Sequence, residues 1–414
     1  MKRQISVGEG VVSGWCDARF EPLLQVFLEN FTTRGEIGAS LAILQGEEVV
    51  VDLYGGYVDR EKTTPWQPNT ISVVHSCTKA ATALCLHLLI DQGYLSLHEP
   101  VAKYWPEYAQ AGKGDTTLAM LLNHTSGLPA LTEPVAADGF LDWDYMTRLL
   151  AAALPWWEPG TAHGYQMTTF GWLVGEVIRR VSGQSLGEFF KANVAEPLGA
   201  DFWIGLPTSE HHRVARLQRF RPDKRLAPAA FTRRLIADPN SLPAKAYFNT
   251  GGFKADSPAS YQAEFGAGGG LTNGLGLAKM YAPLANEGWW KGQQLFSQQQ
   301  ISWMSETAVR GGEDRTLIMP THFTLGFMKT MDNRYRAGGA LESLRLGSQA
   351  FGHAGAGGSV GFADPELGIS MGYVMNQMGP GILLNERSQR LVDATYACLG
   401  FDETAFGDFR KPRS

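Results

Sequence analysis

Cysteine is scarce in this chain: four residues, Cys16, Cys77, Cys85 and Cys398, among 414. No C-x-x-C spacing joins any two of them, which excludes a disulfide framework and points to reduced structural thiols in a cytoplasmic protein. Long apolar runs are missing too, since no stretch approaches the roughly 20 residues that a helix needs to cross a bilayer. The opening MKRQISVGEGVVSGWCDARF has two basic residues near its start but no apolar h-region, so no secretory signal is expected. Nor is positive charge in excess. A net charge of -5 and a pI near 6.0 argue against nucleic acid as the partner. The glycine-rich run around Ala267 lacks the G-x-G-x-x-G register of a phosphate cradle, HExxH is absent, and His211 and His212 are adjacent rather than four apart. Neither a metal nor another cofactor is expected, and no internal repeat is present.

What is present suits a soluble globular chain: 44% hydrophobic and 19% charged residues, enough for one large or two interleaved domains. Phe20, Leu23, Leu24, Phe27, Leu28 and Phe31 predict an amphipathic helix over Glu21 to Phe31, and Leu41 to Leu44 with Val49 to Tyr54 predict a hairpin around Gln45-Gly46. Helices are expected after Thr117, from Phe170 to Val181, from Leu186 to a stop at Pro197, and from Glu386 to Leu399. Short strands separated by glycine turns fill FTLGFMKT, FGHAGAGGSVGFADP and GISMGYVMNQ. Sheet segments therefore lie near both ends and helices between them. That predicts an α/β (α+β) architecture, with a sheet domain of residues 1–72 plus 271–414 interrupted by a mainly helical domain, 73–270. Within the latter, 205–265 reads as irregular and carries Arg213, Arg216, Arg219, Arg221, Lys224, Arg225, Arg233 and Arg234. Such a run is a solvated face or, as the sharper alternative, a flap over a pocket.

Chemistry concentrates at SVVHSCTKAATALCLHLLIDQGYLSL. From Ser76 onward the spacing of Ala80, Ala83, Leu84, Leu88 and Leu89 predicts a helix with one apolar face, stopped near Gly93. Lys79 lies three residues after Ser76, so an amine and a hydroxyl share a helix face at the helix's positive end. Cys77 points about 100° away from that face and is set aside as nucleophile. A rival nucleophile, Ser359, sits in GGSVG, which matches G-x-S-x-G. That motif needs strand, turn, helix and a later histidine, whereas Asp364-Pro365 predicts a hairpin and every histidine precedes Ser359. His353, His124 and His163 leave a triad in another order open.

Three motifs fall in one order: Ser76-x-x-Lys79, Tyr165 in PGTAHGYQM, and His353-Ala354-Gly355 in FGHAGAGGSVGFADPE. With HTSGLP and DQGYLSLHEPVAKYWPE between them, the chain resembles the serine β-lactamase and penicillin-binding-protein superfamily, in particular its class C β-lactamase-like branch and the family VIII carboxylesterases. The resemblance implies an antiparallel sheet flanked by helices with an inserted helical domain. It implies Ser76 as acylated nucleophile, Lys79 as base, Tyr165 as second proton-transfer group, and the N–H groups of Ser76 and Ala356 as oxyanion hole. His353 stands where β-lactamases carry lysine, and Met167 where class C enzymes carry asparagine, so a fixed cation and a polar amide contact are lost. The expected substrate is a small neutral ester, met by His353, Gly355 and Met167 and by an acyl pocket of Trp156, Trp157 and Phe170. A β-lactamase, a D-amino-acid peptidase, an acyltransferase or a non-catalytic scaffold are the alternatives. No membrane partner is expected, and oligomeric state is not legible.

Overall fold

A computed structural model describes residues 2–7, 10–221, 230–336 and 339–412. Its centre is an antiparallel sheet of seven strands: β1 (Lys2–Val7), β2 (Gly10–Cys16), β3 (Gly38–Gln45), β4 (Glu48–Gly56), β7 (Phe351–Ala354), β8 (Val360–Asp364) and β9 (Ile369–Met375). The order is β1-β2-β4-β3-β9-β8-β7, with Met371 of β9 opposite Ile43 of β3. Strands β5 (Val309–Glu313) and β6 (Pro320–Phe323) form a separate hairpin.

Strand periodicity divides the interior into two cores. Ala39, Leu41 and Ile43 of β3 join one cluster with α1 (Glu21–Thr33) and the closing helix; Ala42 and Leu44 join the other, which holds α2 (Thr78–Asp91) and α3 (Phe170–Ser182). Two short helices follow, α4 (Ala230–Ala237) and α5 (Leu242–Phe248), then α6 (Gly274–Ala285) on the α2 side of the sheet and α7 (Glu386–Cys398) beside α1. Both faces are covered, and β3 is accordingly buried from Gly38 to Leu44.

Three sequence expectations change here. First, α2 is enclosed on every side, from Thr78 to Ile90, rather than along one face. Its off-face polar groups are satisfied internally: Thr82 Oγ1 donates to the Gly266 carbonyl at 2.8 Å and Cys85 Sγ to the Ala81 carbonyl at 3.3 Å. Second, the helix from Leu186 does not stop at Pro197. A π-helical turn over Lys191–Ala195 carries it on to Leu198, with Pro197 in the first turn of that last segment, where its missing N–H is tolerated. Third, 205–265 is not merely irregular, since it contains α4, α5 and a turn of helix at Pro258–Gln262. Its arginines are not one unit. Arg213 pairs with Asp201 and Glu210, Arg216 with Asp256, and Arg234 approaches Asp238, while Lys224 and Arg225 lie outside the described residues.

One buried ionic contact ties α7 to the sheet. Arg387 Nη1 donates to Glu36 Oε1 at 3.1 Å, Tyr373 of β9 donates to the same carboxylate, and burial pushes the Glu36 carboxyl above its usual range. The neighbouring α7 cap, Asn385, donates from Nδ2 to the Gly357 carbonyl at 2.8 Å and so holds the turn that carries Ala356. Arg387→Met leaves Glu36 buried and unpaired, and is expected to cost about 3–5 kcal/mol in chemical denaturation. The double variant Glu36→Gln/Arg387→Met should recover most of that loss; equal losses in the single and double variants contradict the role given to the pair.

Candidate active site

Ser76 occupies a 3₁₀ turn, His75–Cys77, that leads directly into α2. The turn is strained, because His75 takes φ +45, a conformation that side chains bearing a Cβ rarely adopt. It is held from both sides: Thr78 Oγ1 donates to the His75 carbonyl at 2.6 Å, the Gly270 N–H donates to Thr78 Oγ1 at 2.8 Å, and the Val74 N–H donates to the Gly270 carbonyl. The first helical bond is made by the Cys77 N–H to the Val74 carbonyl. The Ser76 N–H precedes it, among the groups that a helix start leaves outside its ladder.

Lys79 is completely buried, and no carboxylate is within ion-pair distance of it among the described residues. Its Nζ lies 2.9 Å from the Met167 carbonyl, 2.8 Å from the Ala267 carbonyl and 3.2 Å from Ser76 Oγ. Burial pushes the Lys79 pKa well below its usual value. A neutral amine has two hydrogens and one lone pair. The two carbonyls take the hydrogens, which turns the lone pair toward the Ser76 hydroxyl.

The Tyr165 ring lies over Lys79, with Nζ 4.7 Å from its centroid. Burial raises the phenol above its ordinary range, and Ser76 is the hydroxyl facing it that favours the ionised form, although the two are not in full hydrogen-bond geometry. Tyr165 is therefore a protonated donor. Phe323 stacks parallel to its ring at 5.8 Å, and His124 meets it edge-on at 4.9 Å.

On the other side of Ser76, β7 ends at Ala354, and Gly355 fits against the nucleophile turn. A Cβ on Gly355 would fall 2.2 Å from the Val74 carbonyl oxygen, so only glycine allows this approach. Ala356, next along, is exposed at the rim. His353 is buried, its Nδ1 2.7 Å from the Ala354 carbonyl, and burial is the main cause that lowers its pKa to about 3. It is neutral at ordinary pH, so no fixed cation stands at the third motif. Cys77 is buried, donates to the His353 carbonyl at 3.3 Å, and has its thiol pKa raised by burial. Ser359 is fully enclosed in the β7–β8 turn, behind Gly357 and Gly358, which both take positive φ. Among the described residues no three His, Cys, Asp or Glu side chains converge as a metal site, and no helix is long and apolar enough to cross a membrane.

The expected acyl pocket is corrected. Phe170 is fully buried inside the helical core, its ring 5.4 Å from His124, because the apolar face of α3 turns inward. Trp156 and Trp157 line a cleft that adjoins the Tyr165 loop from outside.

One contributor, Asp314, was not anticipated, and His124, weighed only as a triad histidine, has a different role. Asp314 is completely buried, and its carboxylate accepts the backbone N–H of Tyr165 (2.9 and 3.1 Å) and those of Thr316 and Leu317 (both 2.8 Å). Burial still leaves its pKa above the usual carboxylate value. In GGEDRTL nothing distinguishes it from a surface turn acid. His124, in HTSGLP, takes φ +65 and accepts the Gln166 N–H at Nδ1, 3.3 Å away, which fixes the loop from its far side.

The beta-lactamase family profile matches residues 17–394. The chain belongs to the beta-lactamase family. "Esterase/beta-lactamase LipL" of Mycobacterium tuberculosis is 31% identical over 386 residues, which span 91% of this chain and 86% of that protein. Among solved structures, a penicillin-binding protein homologue from Caulobacter crescentus is 36% identical with a TM-score of 0.82, covering 94% of this chain and 99% of that one. A family VIII carboxylesterase, also 36% identical, gives a TM-score of 0.80 over the same shares. This beta-lactamase-family chain has the fold of the superfamily, an antiparallel sheet with flanking helices, and is a serine hydrolase of that superfamily.

If Asp314 positions Tyr165, Asp314→Asn should slow covalent labelling by a fluorophosphonate about ten- to a hundredfold, the scale of one charge-assisted hydrogen bond, in protein that circular dichroism shows to be folded. Asp314→Glu, which keeps the charge, should restore part of the rate. A rate within twofold of wild type in Asp314→Asn contradicts the assignment.

Proposed function

We propose that the protein is a serine carboxylesterase that hydrolyses small or short-chain carboxylic esters through an acyl-enzyme on Ser76. The observation that carries this reading is the buried, uncompensated Lys79 amine, 3.2 Å from the Ser76 hydroxyl. A hydroxyl is a weak nucleophile until a base takes its proton, and a lysine can be that base only when its pKa is depressed. Lys79 accepts the Ser76 proton as Oγ attacks the ester carbonyl carbon. The oxyanion so formed is held by the N–H groups of Ser76 and Ala356. As the carbonyl re-forms, the C–O bond to the alcohol breaks and Tyr165 gives the leaving oxygen its proton. The Lys79 ammonium then returns a proton to Tyr165. In the second half water gives a proton to the same pair, attacks the acyl carbon, and releases the acid with Ser76 restored.

Neutral His353 and apolar Met167 favour a neutral ester over a lactam carboxylate at the third-motif side of the pocket. Lactam hydrolysis is the second reading, and the paired wording of the LipL description, esterase and beta-lactamase, is what favours it.

Nitrophenyl butyrate should be turned over faster than a chromogenic cephalosporin, and Ser76→Ala should abolish both reactions. Peptide mapping after fluorophosphonate treatment should place the adduct on Ser76. Faster turnover of the cephalosporin reverses the substrate choice, an adduct on Ser359 or one surviving Ser76→Ala removes the nucleophile, and no turnover of either supports a non-catalytic homologue. Because Lys79 must be neutral to act, kcat/KM should fall as pH drops through its lowered pKa. An acid limb still rising at about pH 10, the ordinary lysine value, contradicts the assignment of the base.

A further inference from the structure

The α4–α5 pair is apolar on two sides. Its inner side, Phe231, Leu235 and Ala244, packs on Met167 and Ile382 and so belongs to the interior. Its outer side is apolar without cover: Ile236 is 70% exposed, Phe248 61% and Tyr247 51%. With Phe231 and Leu235 turned inward, a rotation of 100° per residue carries Ile236 to the solvent side of α4. Phe231 meets Tyr247 edge-on at 6.0 Å and Tyr247 meets Phe248 edge-on at 5.0 Å, so a file of rings runs from the inner side out to water. A helix pair that only capped the core would carry polar residues on that outer side.

A neighbouring segment adds to the same region. The Gln218 N–H donates to the Asn376 carbonyl at 2.7 Å, and the Met378 N–H donates to the Gln218 carbonyl at 2.9 Å, which lays residues 216–221 along the loop that carries Ile382. Phe220 of that segment is exposed as well. Positive charge concentrates with these apolar groups. Residues 214–221 and 230–254 hold seven basic side chains and one carboxylate, Asp238, in a chain whose net charge is -5. Arg219, Arg221 and Lys254 are exposed, with no carboxylate at ion-pair distance among the described residues, and Arg234 has only a half-exposed approach to Asp238 at 3.7 Å.

We infer that the outer face of α4–α5, with the 216–221 segment beside it, is a docking surface for an anionic lipid bilayer. Its apolar side chains enter the boundary of the acyl chains, and its arginine and lysine groups lie among the headgroup phosphates. This goes beyond the esterase reading and does not rest on it. It departs from the expectation of no membrane partner, which followed from the lack of a spanning segment, a feature that surface docking does not need. Tyr247 has the apolar ring and polar tip that suit the headgroup level. A second copy of the chain fits the face poorly, because two-fold pairing would set these cations against their own counterparts with one carboxylate per chain to offset them. An acidic protein would match the charge, but its anchors need recessed pockets, whereas Ile236, Tyr247 and Phe248 project.

The test is sedimentation with vesicles. The protein should bind vesicles of phosphatidylcholine containing about one-third phosphatidylglycerol at least about tenfold more tightly than vesicles of phosphatidylcholine alone, a preference that shrinks as ionic strength rises. Arg219→Gln/Arg221→Gln should weaken binding to the anionic vesicles roughly twentyfold, on the scale of about fivefold for each charge near the surface. Ile236→Ser/Phe248→Ser should weaken it at least about tenfold. Both pairs lie on the surface outside the catalytic centre, so turnover of nitrophenyl butyrate without vesicles should stay within about twofold of wild type, which separates lost docking from lost folding. Equal binding to the two vesicle types, or binding unmoved by either pair of substitutions, overturns the proposal. So does a wild-type dimer in sedimentation velocity that Ile236→Ser/Phe248→Ser converts to monomer, which assigns the face to a second copy. Binding to polyglutamate that the arginine pair abolishes and the apolar pair leaves unchanged assigns the face to an acidic protein and also overturns it. Absence of turnover in the wild type with vesicle binding intact contradicts the esterase reading alone.

Discussion

The site depends on one electrostatic constraint: a lysine amine placed in the core without a counter-charge. Taking an ammonium out of water costs several kcal/mol after relaxation, and a carboxylate partner would normally offset it. Among the described residues no such partner is within ion-pair distance, and the carbonyls of Met167 and Ala267 stand in its place. They satisfy a neutral amine fully and an ammonium only in part, so the fold selects the form that can accept a proton. The wholly buried α2, the strained turn at His75 and the close approach of Gly355 all serve to hold Ser76 against that amine.

The same logic extends to the neighbouring groups. Each titratable side chain around Lys79 is driven toward its neutral form by burial: Tyr165 to phenol, His353 and His124 to imidazole, Cys77 to thiol. A neutral shell protects the lowered lysine pKa, since any fixed anion nearby would raise it again. Burial pushes the Asp314 carboxyl in the same direction, and its oxygens are taken up by backbone N–H groups, one of which sets the position of Tyr165.

Much of this was legible in the chain. The β3–β4 hairpin, α1, α3 and α7 follow from apolar periodicity because each packs one face against a core, the case in which periodicity reports directly on structure. The Ser76-x-x-Lys79 spacing survives the shift from α-helix to a 3₁₀ turn at Ser76 because the turn runs straight into α2. Phe170 opens the apolar face of α3, and the same periodicity that predicts the helix turns this ring into the core, away from the acyl pocket proposed for it. Asp314 was invisible for a different reason: its partners are backbone N–H groups 149 residues and a few residues away, and backbone donors leave no mark on the sequence.

The most direct test of the account is the ionisation of Lys79 itself. In protein carrying lysine labelled with ¹³C at Cε, the resonance absent from Lys79→Met should titrate with a midpoint well below the ordinary lysine value, with the amine neutral at the pH where Ser76 is acylated. A midpoint at or above about 10.4 would mean that the buried amine stays charged, and would contradict the claim that desolvation makes Lys79 the base.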